Sequence, residues 1–153
     1  MADAQNQADT SHAKDIAVIE TIVASQMDAW NRGDAKAFSA QFAADGSFTN
    51  VLGIVYYGHE AFEQRHAELF QTVFKSSKAK MSIRKLRFIR ADVAVADVDC
   101  EVSGHATLPP GIPAAPDGTV RSRLQLVLVR ENGDWGITAF HNVGVAPLPP
   151  RRS

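Results

Sequence analysis

The sequence holds a single cysteine, Cys100, so no internal disulfide can form. That fits a reducing compartment. Net charge is nearly absent: 16 Lys and Arg against 17 Asp and Glu leave −1. A field of one sign that would gather nucleic acid or an anionic membrane is missing. No apolar run approaches the roughly 18 residues that a membrane helix needs. The opening MADAQNQADTSH is polar and lacks the apolar stretch of a secretory signal. A cytoplasmic protein is expected, with neither nucleic acid nor membrane as partner. Proline is missing from every segment with a periodic pattern. All seven prolines fall at 109, 110, 113 and 116 or at 147, 149 and 150. Proline removes a backbone donor and interrupts helices and central strands, so these stretches read as a loop and a tail.

What is present describes an ordinary globular chain: 153 residues, 45% hydrophobic and 22% charged. A domain of this length buries roughly 70% of its unfolded surface and needs no staple. Residues 1–11 are polar without periodicity and are expected to be disordered. One domain is expected over 12–145, and a loose tail over 146–153. A helix fits Ala13 to Asn31, with Ile16, Ile19, Val23, Met27 and Trp30 on one stripe. Gly33 suits the left-handed residue after it, and Asp34 can cap a second helix in which Phe38 and Phe42 share a face. Asp45-Gly46 stops that helix. Ser47–Val51 and Ile54–Tyr57 form a short hairpin around Leu52-Gly53. A third helix, His59 to Phe74, carries Phe62, His66, Leu69, Phe70 and Val73 on its apolar face.

After Ser76-Ser77 the period changes to that of strands, over 79–90, 93–104, 119–130 and 135–143. Asn132-Gly133 is a hairpin pair between the last two. Helices first and strands after imply α+β: three N-terminal helices over a curved, mainly antiparallel sheet with a small hairpin. Helices across the concave side of such a sheet leave a cone whose mouth is a natural pocket.

The stretch AWNRGDAKAFSAQFAADGSFTNVLGIVYYGHEAF, Ala29 to Phe62, resembles the opening of SnoaL-like, polyketide-cyclase-type proteins, and more narrowly the SgcJ/EcaC group. SRLQLVLVRENGDWGITAFHN, Ser122 to Asn142, is similar to that group's last two strands. The resemblance covers about Ala13 to Val143. It implies the nuclear transport factor 2-like, or cystatin-like, cone and a homodimer formed through the sheet. It does not imply one reaction, because the superfamily spans isomerases, cyclases, dehydratases, epoxide hydrolases and members without catalysis. The group is often labelled oxidoreductase, yet no glycine-rich dinucleotide fingerprint, flavin signature or metal cluster is present here, and no cofactor is expected.

Several side chains are candidates for a site. His66, on an apolar helical face, is either an acid or base in the pocket or a core histidine held by one hydrogen bond. Asn50 either turns its amide into the cavity or starts the turn at Leu52-Gly53. Phe48 shares its strand face and would wall the same cavity, as would Trp30. Of Tyr56 and Tyr57 one must face inward, and Tyr57 is the pocket candidate. His141 and Asn142 are adjacent in the last strand, so only one points inward. Both parities there hold apolar residues, and the resemblance favours Asn142. Arg123 could hold a carbonyl or anionic oxygen, but an outward salt bridge with Asp97, Asp99 or Glu101 is favoured. Those acids alternate with Val98, Cys100 and Val102, which puts them on the wet face. The inward carboxylic acid of a ketosteroid-isomerase-like oxyanion site is therefore missing. Glu63-x-x-His66 is half a carboxylate-bridged metal site without a second copy, and His59-Glu60 lacks the second histidine of a zincin. No metal is expected. The composite expectation is a pocket for a small apolar molecule. It serves either isomerase- or cyclase-like chemistry on a carbonyl or polyketide-like compound, or binding without turnover.

Overall fold

In the computed structural model of the protein, residues 2–146 are described, with side-chain placement from residue 12 onward. The elements run α1 (Ala2–Arg32), α2 (Ala35–Ser39), β1 (Phe42–Thr49), β2 (Val55–Tyr57), α3 (His59–Gln71), β3 (Lys78–Arg90), β4 (Val93–Ser103), β5 (Val120–Glu131) and β6 (Asp134–Gly144). The first helix thus begins at Ala2, inside the segment expected to be disordered. Between Ala2 and Arg32 there is no glycine or proline to break it. The expected tail, beyond Ala146, lies outside the described residues.

The α1–α2 corner forms as the sequence suggests. Gly33 takes φ 66°, in the left-handed region that L side chains enter at a cost. Asp34 then accepts a hydrogen bond from the Ala37 N–H at 3.0 Å, capping α2. The second helix is shorter than expected, however. It ends at Ser39, and Phe42, expected on its face, instead opens β1.

All strands belong to one six-stranded sheet in the order β2-β1-β6-β5-β4-β3. β3 to β6 form the expected antiparallel meander. The hairpin is joined to it because β1 runs parallel to β6, pairing Phe48 with Phe140 and Thr49 with His141. Four irregularities in register shape the sheet, one of them between Phe42 and Ser47 where β1 pairs with β6. Arg84 and Ile89 are each skipped in the pairing of β3 with β4, and Thr138 in that of β5 with β6. Bulges bend a strand and strengthen its twist, which curves the sheet around α1 and α3.

The concave face is mostly apolar. Ala94, Ala96 and Val98 of β4 and Leu126 and Leu128 of β5 are fully buried on it, with Ile19 of α1 and Phe62 of α3. Phe62 stacks on Phe42 with ring centroids 4.0 Å apart and planes within 4°. Gly46 lies beneath that pair. A Cβ there would stand 2.8 Å from two Phe42 ring atoms and 3.2 Å from the Ile137 carbonyl oxygen. Gly46→Ala is expected to lower the unfolding free energy by about 1–3 kcal/mol, read from urea denaturation, because ring and strand must both shift.

Polar residues also lie on the buried face of α1. Asp15 accepts from the Trp135 indole N–H at 2.9 Å and from Arg130 Nη1 at 3.1 Å, while the Arg130 guanidinium sits 5.7 Å from the Trp135 ring centre. These contacts pin α1 to the β5–β6 hairpin. The convex face carries the ion pairs Arg123–Asp99 (3.4 Å), Arg84–Asp99 (3.1 Å) and Arg121–Glu101 (3.3 Å), as alternation predicts. No helix among the described residues is long and apolar enough to cross a membrane.

Candidate functional site

The open end of the cone is a cavity with a free volume of about 120 Å³. Its walls are almost wholly carbon. Trp30 of α1, Phe38 of α2, Phe48 of β1, Phe140 of β6 and Phe74 after α3 contribute rings, and Met81 and Leu124 contribute aliphatic surface. The loop between β4 and β5 closes one side, with Pro109 and Ile112 lining the mouth opposite Val51 and Leu52 of the hairpin turn. The ends of that loop are tied by His105. Its ring nitrogens lie 2.7 Å from the Ala106 carbonyl oxygen and 2.6 Å from that of Gly118. Sequence reading gave this loop no role. The signal was there, in apolar Leu108 and Ile112 beside the prolines.

His66 lies at the bottom. Helical spacing aligns Phe62, His66 and Phe70 on the buried face of α3. The imidazole is only 3% exposed and is ringed by Phe62, Phe38 and Phe48 at centroid distances of 4.3, 4.7 and 5.2 Å. Nδ1 stands 2.7 Å from the Phe62 carbonyl oxygen. A carbonyl only accepts, so Nδ1 carries the proton and Nε2 of the neutral ring keeps its lone pair. No described residue hydrogen-bonds Nε2. Burial pushes the imidazole pKa down to about 4; the Phe62 hydrogen bond works against that shift and the charge of Arg65 adds to it. One hydrogen bond anchors the ring, as a core histidine would be held, and the ring also lines the cavity.

The other polar groups are few. Asn142 points into the cone, and its Oδ1 is buried without a hydrogen-bond partner. Ser122 and Cys100 face each other across β5 and β4. Burial raises the Cys100 thiol to about 11, which makes it a poor nucleophile. Arg65 contributes to the rim, its Nη1 turned to Glu68 at 3.3 Å. The Trp30 indole N–H is engaged with Ser77 Oγ at 3.0 Å, so only its ring serves the cavity.

Three expected pocket residues lie elsewhere. Tyr57 is 75% exposed, and Tyr56 takes the inward place, stacked on Phe48. Arg123 is on the convex face with Asp99. His141 is exposed because the bulge at Thr138 reverses the parity of β6. Trp135 and Ile137 point inward before it, and Phe140 and Asn142 after it, which is why both parities held apolar residues. Asn50 borders the cavity, but its Oδ1 accepts from the Leu52 and Ile54 N–H groups at 3.0 and 2.9 Å and so builds the turn. Among the described residues no group of three or more His, Cys, Asp or Glu could hold a metal ion.

Solved structures share this architecture. A domain of unknown function with a cystatin-like fold from Nostoc punctiforme superposes with a TM-score of 0.75 at 23% identity, covering 88% of this chain and 80% of the other. An uncharacterised cystatin-like protein from Caulobacter vibrioides gives 0.74 at 26% identity, over 86% and 90%. A ketosteroid isomerase-like protein from Erwinia carotovora atroseptica gives 0.68 at 19% identity, over 86% and 96%. Among curated proteins none matches the chain. The SnoaL-like domain model matches residues 23–144, from the middle of α1 to the last residue of β6 and so across the whole cone, and the chain belongs to the SnoaL-like domain family.

Proposed function

We propose that the protein binds a small, neutral, largely apolar molecule in the cone. The observation that carries this reading is a carbon-walled cavity with one unpartnered nitrogen, His66 Nε2, at its base. A concave apolar space with a few convergent polar groups is the usual form of a small-molecule site.

Acid–base turnover of a bound carbonyl compound is the second reading, favoured by the free lone pair on Nε2 and by the ketosteroid isomerase-like neighbour. Two features weigh against it. A ring held down to about 4 is a feeble base at neutral pH, and no carboxylate contributes to its environment to strengthen it. Binding without turnover is therefore the better supported of the two.

The test is a thermal-shift series with neutral one- and two-ring compounds on the wild type and on Ser122→Leu, which extends carbon into the cavity from β5. Compounds that fit should raise the melting temperature of the wild type by several degrees and leave the variant unmoved. No response in the wild type, or equal responses in both, would remove the binding reading. We also propose that two copies pair through the convex sheet face. There Val93, Val127 and Val129 adjoin the alternating Arg and acidic side chains of β4 and β5. A monomer in light scattering at micromolar concentration would contradict it.

A further inference from the structure

The chemistry of the cone narrows what fills it, given that the cone is a small-molecule site. The free volume, about 120 Å³, is one measure. An apolar cavity of about 150 Å³ takes one benzene ring. The walls suit a flat ring as well. Phe48 and Phe140 meet edge to face at 5.2 Å and 85°, and Trp30 stands 5.3 Å from Phe74. Rings arranged this way offer both edges and faces to an aromatic guest.

Hydrogen-bonding capacity is the second measure. The Nδ1 proton of His66 is committed to the Phe62 carbonyl, so Nε2 presents a lone pair only. The Trp30 N–H is committed to Ser77. Asn142 Oδ1, a buried oxygen of the site, also lacks a donor. Donors are present at the site, in the Asn142 amide and the unpartnered Arg65 Nε–H, but none of them hydrogen-bonds His66 Nε2, and a buried acceptor left unmade costs free energy. A ketone brings acceptors alone and would leave Nε2 unpaired.

Charge is the third. Arg65, the cationic side chain among the described residues of the cavity, is paired with Glu68 through Nη1, while its buried Nε–H has no partner. An anionic guest would lose its hydration without gaining a free counter-ion.

We propose that the cone takes a neutral molecule built on one aromatic ring whose hydroxyl or N–H group donates a hydrogen bond to His66 Nε2, as a phenol does. The inference deepens the binding reading above and rests on it.

The test uses the full chain at pH 7 and four probes of nearly equal size: phenol, anisole, toluene and benzoate. Calorimetric titrations of the wild type should show phenol binding roughly tenfold or more tightly than anisole, which has the same oxygen without the proton. Benzoate should not bind measurably. In His66→Phe, toluene should still bind and the phenol-to-anisole ratio should fall to about one. A second readout needs no variant. The ¹⁵N resonance of Nε2 should move upfield when phenol is added and stay in place with anisole. Equal affinity for phenol and anisole, a preference for benzoate, an advantage of phenol that survives in His66→Phe, or a silent Nε2 resonance would overturn the proposal. Toluene binding with phenol no better sinks the donor assignment alone. Failure of toluene, anisole and phenol together sinks the binding reading as well.

Discussion

Taking the protein from pH 7 to pH 4 is expected to remove about 3 kcal/mol of folding stability through His66 alone. The folded ring titrates at about 4 and the unfolded one at 6.5. Each pKa unit of difference corresponds to about 1.4 kcal/mol. Above 6.5 both states hold the neutral ring, and the stability is fully present. As the pH falls below 6.5 the unfolded chain takes up the proton first, so unfolding gains and folding loses. The loss grows steadily and levels off once the pH passes below the folded value. The unfolding free energy should be measured by urea titration at half-unit steps of pH for the wild type and for His66→Phe. Other titrating groups cancel in the difference between the two curves. That difference should slope between 6.5 and 4 and be flat above 7. A flat difference throughout would mean that the ring is solvated in the folded chain.

Truncating Phe62 to alanine is expected to be the most damaging single change in the core, at about 3–5 kcal/mol. The side chain is fully buried and ties α3 to two neighbouring strands of the sheet. It stacks on Phe42 at 4.0 Å, crosses Phe48 edge-on at 5.3 Å and abuts Phe140 at 5.6 Å. α3 and the β1–β6 pair are held in register by these contacts, so the cavity left behind cannot collapse without separating them. Phe62→Leu, which keeps most of the volume, should cost less than half as much. Both values come from denaturant midpoints at unchanged m-value. A Phe62→Ala cost below 1 kcal/mol would show that the aromatic cluster does not carry the core.

The two effects share a cause that was partly legible in the chain. Apolar positions at helical spacing in α3 placed His66 between Phe62 and Phe70, and strict alternation in β4 and β5 assigned the acids and Arg123 to the wet face. Glycine and aspartate at the α1–α2 corner announced their conformations through local chemistry. What failed depended on partners distant in sequence. Phe38 and Phe42 stand four apart, as helix neighbours do, and only the parallel pairing of β1 with β6 decides that Phe42 belongs to a strand. Thr138 gives no local sign of a bulge, yet skipping it decides that Asn142 and not His141 enters the cone. Tyr56 and Tyr57 are the same residue type, so alternation alone could not choose between them. Asp15 and Gln26 are polar residues on a buried helix face, and Asp15 is explained only by Trp135 and Arg130 more than a hundred residues later.

His66 is a neutral, buried ring whose one free nitrogen faces the cavity, and the proposed binding rests on it. The most direct test is a ¹H–¹⁵N correlation of the histidine rings from pH 7 down to pH 3.5, recorded with and without phenol. The account predicts an Nδ1-protonated His66 at pH 7, a midpoint near the folded value of about 4, and an Nε2 resonance that responds to phenol. A His66 ring that titrates near 6.5 and ignores every added compound would contradict it.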